Sequence, residues 1–420
     1  MKKNDAVAAP RLIRTGAGFP PSRRSEIDPM PEPRDDQGRS PERGRSISVD
    51  PKGQRSARSR FAPGTARLSA LAASFLLVSC TGDLRERLDA LLAPLRSDRA
   101  PGVAVMVIRD GAVVYSAGLG LADVERGIPI GPRTAFDIAS VSKQFTAMLA
   151  MILRQEDRLD YDTPVARFLP DLSRFGETMT VRHLLTHTSG LPDYYDALAR
   201  AGGPRGFVSN HDALAYLARQ GDAVFPPGER FQYSDVGYEM LALVLEKAAG
   251  EPFGDLLRRR IFEPLGMRDT RLRDRPDVPV PNRARGYAPL GQGFAPSPDH
   301  PLDCLVGSGA VNTTLDDLDR CDQALAADRL VRRATLDDAL RPMRLGDGTL
   351  SAYAFGWFLK RDLWHRRLEH PGSWLGYQAF IVRYPDDRFT VVLLANRSDV
   401  DLAVLADRIV RLYAGPFGTF

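Results

Sequence analysis

GVAVMVIRDGAVVYSAGLG, residues 102–120, decides how the rest of the chain is read. Two apolar, valine-rich runs flank Arg109-Asp110-Gly111, and an Asp-Gly pair between such runs predicts a tight hairpin turn. Matching strands are expected near the other end, in AYAFGWFL (352–359), GYQAFIVRYP (376–385) and FTVVLLAN (389–396), with Pro385-Asp386-Asp387 turning between the last two. Helical spacing brackets both sets. Leu84, Leu88, Leu91, Leu92 and Leu95 place an amphipathic helix over 83–97, ended near Pro101, and Leu402, Leu405, Ile409 and Leu412 mark a closing one. Helices are expected to dominate 140–265, with Pro/Gly-rich loops at 190–206 and 274–302. The pattern predicts an α+β (mixed α/β) fold: an antiparallel sheet built from N- and C-terminal strands, flanked by helices, with a mostly helical region inserted. A nucleophile at the junction of sheet and insert would stand in a cleft.

The chain of 420 residues is long enough for one large domain or two intergrown ones, and 43% hydrophobic content is that of a globular protein. Residues 1–79 hold 15 basic and 8 acidic groups, which leaves 42 and 45 for residues 80–420. The globular part is therefore mildly acidic, and nucleic acid is not an expected partner. Residues 1–60, crowded with Arg, Pro, Ser and Gly, carry no periodic apolar pattern and read as a disordered extension or as sequence upstream of the true start. Residues 61–80 read as a signal peptide. Arg58, Arg60 and Arg67 supply a basic flank, and the apolar run Leu68 to Val78 falls short of the roughly 20 residues a membrane span needs. Its ending, Leu77-Val78-Ser79-Cys80, resembles the lipobox of bacterial lipoproteins, in which Cys80 would be lipidated and become the mature N-terminus. A plain signal peptide or a buried helix is the alternative. The lipobox reading predicts an exported protein of the periplasm or cell envelope, associated with the membrane through its lipid anchor. Cys304 and Cys321 leave a disulfide open in such a compartment, although Cys321, in the helical-looking TLDDLDRCDQAL, reads as a small buried thiol. No CxxC occurs, so no cysteine-based zinc site is expected.

Chemistry concentrates in IASVSKQFTA, residues 138–147. Only six lysines occur among 57 basic residues, so a lysine marks a position where a group able to lose its proton is useful, which guanidinium is not. On a helix Ser140 and Lys143 share a face, whereas Ser142 points about 100° away from Lys143. Ser140 would stand in the first turn, where unpaired N–H groups and the positive dipole end favour negative charge. Lys143, desolvated by Phe145 and Met148, is expected to be a neutral amine and a base, and Ser142 a packing hydroxyl. By itself the Ser-x-x-Lys spacing is a weak signal.

From about residue 100 to 415 the chain resembles the serine β-lactamase-related family, in particular its class C branch, which also holds penicillin-binding carboxypeptidases, D-aminopeptidases and esterases. The likeness is carried, in order, by FDIASVSKQFTA (136–147), VRHLLTHTSGLPDYYD (181–196), FPPGERFQYSDVGYEMLALVLEKAAGEPF (225–253), IFEPLGMRDT (261–270) and EHPGSWLGYQAFIVRYP (369–385). The resemblance implies a β-lactamase/transpeptidase-like fold and a serine hydrolase domain over 81–420. It implies that Tyr233, hydrogen-bonded to Lys143, relays a proton to the leaving group. In His370-Pro371-Gly372-Ser373 the family's β-lactamases carry Lys-Thr-Gly on a strand lining the site. By that resemblance Gly372 would let substrate approach, the N–H groups of Ser373 and Ser140 would form the oxyanion hole, and His370 would orient a substrate carbonyl or carboxylate. Proline in such a strand points to an edge or bulge.

Two departures matter. Asp235 stands where the family's Tyr-x-Asn has its asparagine, and as an acceptor it would repel a substrate carbonyl. His370 in place of lysine removes a cation that would grip a carboxylate. Other frames fail. Ser234-Asp235-Val236 lacks the asparagine of class A β-lactamases, no Gly-x-Ser-x-Gly elbow occurs, and His183 and His187 lack a Glu between them and are expected to cap and pack. The expected function is hydrolysis of an ester or amide bond through a Ser140 acyl-enzyme, of the esterase or D-amino-acid peptidase and carboxypeptidase type. β-Lactamase is the alternative, and an inactive peptidoglycan-binding protein the alternative of another class. No metal or organic cofactor is implied, and the partner is a small-molecule or peptide substrate.

Overall fold

The computed structural model describes residues 84–414 apart from 176, 202–205 and 363–364, so the expected extension 1–60, the leader 61–80 and Cys80 lie outside the described residues. Helix α1 (84–92) is shorter than its leucine spacing predicts and tightens into a 3₁₀ turn at Ala93–Leu95. Pro94, which has no N–H to continue the helix ladder, explains the early stop. Strands β1 (Val103–Arg109) and β2 (Ala112–Leu119) form the hairpin, turned by Asp110 and Gly111, both at positive φ. Four helices of the insert matter to the site: α2 (Lys143–Gln155), α3 (Val181–Leu185), α4 (Asp235–Ala249) and α5 (Leu315–Ala326). The chain then returns to the sheet as β3 (Tyr353–Ala354), β4 (Trp357–Asp362), β5 (His365–Trp374), β6 (Tyr377–Tyr384) and β7 (Phe389–Ala395), and closes with α6 (Leu402–Ala414).

All seven strands join one antiparallel sheet in the order β3-β4-β5-β6-β7-β1-β2, so strands from the two ends of the chain meet where β7 pairs β1. Central β1 and β7 are buried along nearly their whole length, which is why both read as unbroken apolar runs, while edge strand β2 is largely exposed. Alternation sorts the side chains by face. Val103, Val105, Val107, Val391 and Leu393 pack under Leu88 and Leu92 of α1 and Leu405 and Ile409 of α6. Ala104, Met106, Ile108, Val392 and Leu394 face the inserted helices. Two regions expected as loops carry structure of their own. A helix spans Tyr195–Ala201, and a hairpin pairs Tyr287–Leu290 with Gly293–Pro296, turned by Gly291 at φ 58°. Cys304 and Cys321 are free, buried thiols, the latter on α5. Among the described residues no helix is long and apolar enough to cross a membrane.

Candidate active site

The starts of the two most deeply buried helices converge. Ser140 lies in a 3₁₀ turn, Ala139–Ser142, that runs directly into α2, whose first residue is Lys143. Asp235 is the first residue of α4, and Tyr233 ends the loop before it. The turn is strained: Ala139 sits at φ 46°, a left-handed conformation unusual for alanine, and its N–H donates to Asp137 Oδ1 at 2.8 Å. Lys143 is fully buried and donates to three acceptors: Ser140 Oγ at 3.0 Å, Asp235 Oδ1 at 2.5 Å and the Ser308 carbonyl at 3.0 Å. These acceptors engage all three ammonium hydrogens, and the Tyr233 hydroxyl shares them as a fourth partner. Segment 307–311 is tied to α2, because Thr146 Oγ1 donates to the Gly307 carbonyl at 2.7 Å and Val311 N–H donates to Ser142 Oγ at 3.3 Å. Ser142 is thus a packing hydroxyl. Sequence reasoning did not single out Ser308. Its signal was the flanking Gly307, whose φ of 94° and approach to Tyr238 O, 2.3 Å from where a Cβ would stand, exclude other residues.

Electrostatics corrects one expectation. Burial pushes Lys143 down, but Asp235, and after it Tyr233, push it up and prevail, so the group is held above its ordinary value. Lys143 therefore rests as an ammonium ion, not the neutral amine expected from desolvation alone, and the carboxylate at 235 is the reason. Asp235 likewise does more than present an acceptor to substrate: one of its oxygens is taken by Lys143. Tyr233 interacts through its hydroxyl with both Lys143 and Ser140, and its ring centre lies 5.0 Å from Lys143 Nζ. Burial raises the phenol, Lys143 lowers it and Asp235 raises it, with a net rise. It stays protonated at neutral pH and is equipped to donate.

An open cavity leads to this point, lined by Ser140, Asp235, Ser373, Trp374, Asp303 and Tyr195, among others. Asp303 accepts from Trp374 Nε1 at 2.8 Å and from the His300 N–H at 3.0 Å. Strand β5 is interior in the sheet order, yet its pairing with β4 stops at Glu369, so residues 370–374 have one free edge, where Pro371 is tolerated. Ser373 is exposed there and reaches the cavity. Gly372 serves a different purpose from the one expected. A Cβ on it would lie 2.3 Å from Ile138 O and 3.3 Å from Ser140 N, so the glycine lets β5 pack against the Ser140 turn and does not open space for substrate. His370 is also corrected. It is fully buried and does not line the cavity. The Pro371 carbonyl at 2.7 Å can only accept, so Nδ1 carries the hydrogen, and Nε2 accepts from Tyr353 Oη at 3.1 Å. Burial, with Lys143 nearby, pushes His370 down to about 3, and the ring is neutral with both nitrogens engaged. His183 closes the capping box at the start of α3, accepting the Thr180 N–H on Nδ1 at 3.0 Å. No group of His, Cys, Asp and Glu among the described residues could hold a metal ion.

A family model described as Beta-lactamase matches residues 84–414. The chain belongs to the beta-lactamase family. It is 33% identical over 328 residues to penicillin-binding protein 4* of Bacillus subtilis (strain 168), covering 75% of this chain and 72% of that protein. It is 29% identical over 299 residues to the D-aminopeptidase of Cereibacter sphaeroides, covering 71% of this chain but only 57% of the relative's length. Among solved structures it is similar to the D-amino acid amidase of Ochrobactrum anthropi SV3, with a TM-score of 0.68, 25% identity, and coverage of 79% of this chain and 98% of the amidase. Within the beta-lactamase family, then, this member pairs its Ser-x-x-Lys lysine with an aspartate from α4 and turns its His370 inward.

Proposed function

We propose that this serine hydrolase attacks an ester or amide carbonyl with Ser140 and that the proton of Ser140 leaves through Lys143. The observation that carries the reading is the 3.0 Å contact between Lys143 Nζ and Ser140 Oγ at the floor of an open cavity. Because Lys143 rests as an ammonium ion without a lone pair, it first hands one hydrogen to Asp235 Oδ1, and the free amine so formed turns to take the serine proton. The Ser140 O–H bond breaks, the new O–C bond forms, Lys143 again holds three hydrogens, and Asp235 ends as the acid. The N–H groups of Ser140 and Ser373 stabilise the oxyanion. Tyr233 gives its proton to the leaving group and regains one from the Lys143–Asp235 pair, and water then enters by the same route to release the acid.

The cavity wall favours one kind of substrate. Asp235 and Asp303 line it, and no Arg side chain does, while Lys143, behind Ser140, has no free hydrogen. A carboxylate, as on a β-lactam or a peptide C-terminus, gains nothing there. Neutral esters and amides of amino acids with a free ammonium group fit better, and the D-aminopeptidase and D-amino acid amidase likenesses support that order. A fluorophosphonate probe tests the reading: wild type is expected to gain one adduct, on Ser140, and Ser140→Ala none. Labelling that survives Ser140→Ala overturns it. A D-amino-acid p-nitroanilide, p-nitrophenyl acetate and nitrocefin, compared in parallel, rank the substrates, with nitrocefin expected last.

We further place the enzyme in the cell envelope, held by lipid on Cys80, on the strength of the Leu-Val-Ser-Cys ending. In a bacterial host, Cys80→Ser is expected to move the protein from the membrane fraction to the soluble one. An unchanged membrane fraction, or an intact mass without acyl chains on Cys80, rejects the anchor.

A further inference from the structure

No step above uses His187, although the residue is held in an unusual way. It follows α3 and adopts φ 57°, the left-handed region that non-glycine residues seldom occupy. Its side chain is buried, so both the backbone strain and the desolvation of a polar ring need a reason. Two backbone N–H groups, one on each side of Tyr233, end on this single residue. Gln232 N–H donates to the His187 carbonyl at 2.9 Å, and Ser234 N–H donates to Nδ1 at 3.1 Å. The imidazole lies 4.3 Å from the Tyr233 ring, centre to centre, at a tilt of 33°, and Tyr353 and Tyr238 stand 4.4 and 5.0 Å away. A backbone N–H can only donate, so Nδ1 is the accepting nitrogen and the neutral ring carries its hydrogen on Nε2, which is buried without a hydrogen-bond partner.

A histidine serving as acid or base would not have one nitrogen tied to a backbone donor and the other sealed among rings. We propose that His187 is the positioning residue of the relay: its carbonyl and Nδ1 clamp the backbone on both sides of Tyr233 and align the phenol on Ser140 and Lys143. The inference rests on the relay role given to Tyr233 above. Protonation would have to occur at Nδ1, where it would set two donors against each other, and burial, Lys143 and His370 all hold the group well below its ordinary value. The neighbouring rings supply shape, and the left-handed backbone brings carbonyl and ring to bear on the same tripeptide.

The test compares two substitutions that both tolerate positive φ, His187→Asn, which offers an acceptor near the place of Nδ1, and His187→Gly, which offers none. Rates on p-nitrophenyl acetate are taken per site titrated with the fluorophosphonate, so that unfolded protein is not counted. His187→Gly is expected to lower kcat on the order of tenfold to a hundredfold with KM little changed, and His187→Asn to restore most of it. A loss carried by KM, or equal rates for the two variants, overturns the proposal. Should His187→Gly not fold, His187→Ala, which likewise offers no acceptor, takes its place, and its combination with Tyr233→Phe decides. A positioning role predicts that the combination lowers kcat no further than Tyr233→Phe alone, whereas independent, multiplying losses refute it. The two readings fail separately. Wild type that does not label at Ser140 removes the proposed function, whereas normal labelling with His187 variants at wild-type kcat removes only this inference.

Discussion

The two faces of the sheet do different work. Under α1 and α6 the cluster is apolar apart from the phenols of Tyr115 and Tyr384, which donate outward to Asp89 and Asp362, and the charges this face buries beside it are paired in one cluster, Arg367 with Glu369, Asp362 and Asp407 of α6. Toward the insert the same strands meet a core that also encloses Lys143, Glu239, His187 and His370. The first face is stabilised by burial, about 1.5–3 kcal/mol for each large side chain taken fully from water. The second carries groups whose desolvation opposes folding unless each finds a partner: Asp235, which lines the cavity, is that partner for Lys143, and Tyr353, which does not, is that partner for His370. Stability and chemistry are therefore separable by face, and substitutions can test the separation.

The largest effect is expected on the inner face. Lys143→Arg keeps a positive charge beside Asp235 but cannot give up a proton, so kcat/KM should fall by at least about 10³-fold, roughly 4 kcal/mol of transition-state stabilisation. Turnover of p-nitrophenyl acetate within tenfold of wild type would break the proton-transfer role. On the outer face Leu393→Ala should lower unfolding free energy by about 2–5 kcal/mol in a denaturant titration, while kcat per probe-titrated site stays that of wild type. A matching fall in kcat would show that the two faces are coupled after all.

That division also sets what could be read from the chain. The hairpin at 102–120 and the returning strands were legible because apolar runs and an Asp-Gly turn are local signals, and the meeting of Ser140 with Lys143 follows from a separation of three residues. Pro94 was an available local signal that the leucine repeat outweighed. The charge of Lys143 was not legible, because its partner is 92 positions away and only the convergence of two helix starts brings it to 2.5 Å. His370 reads as a cavity residue from its motif, yet its direction is set by the Pro371 carbonyl and by Tyr353, neither of which a motif encodes. Gly372 suggested open space and instead admits the Ile138 carbonyl, since a missing side chain can make room for the protein's own backbone as readily as for a ligand.

A smaller effect should come from Asp235→Asn, which restores the residue of the resembled family. Removing the carboxylate lets burial dominate at Lys143, so its ammonium form loses support, and the cavity wall loses a negative charge. Selectivity for an ammonium-bearing p-nitroanilide over nitrocefin, as the ratio of kcat/KM values, should drop about 10–100-fold, or roughly 1.4–2.7 kcal/mol. An unchanged ratio would remove Asp235 from substrate choice and leave it only the pairing with Lys143.

The smallest effect is a dependence on pH, and its sign follows from Glu239. One turn beyond Asp235 on α4, it is fully buried and accepts from the hydroxyls of Tyr194, Tyr195 and Ser308, the last at 2.8 Å. Burial pushes it up to about 7, against the lowering by those hydroxyls, with Asp235 adding to the rise. A carboxyl raised on folding binds its proton more tightly in the native state. Its contribution is therefore complete below the ordinary value of about 4.5 and is lost as pH climbs through about 7. Glu239→Gln has no such proton to lose. The melting temperature of wild type relative to Glu239→Gln should accordingly fall between pH 5 and pH 8, by roughly 2 °C or more, while Leu393→Ala should follow wild type in parallel. A constant gap between wild type and Glu239→Gln would mean that the three hydroxyls hold Glu239 ionised throughout, and the inner face would then carry its charge without a titration in the working range.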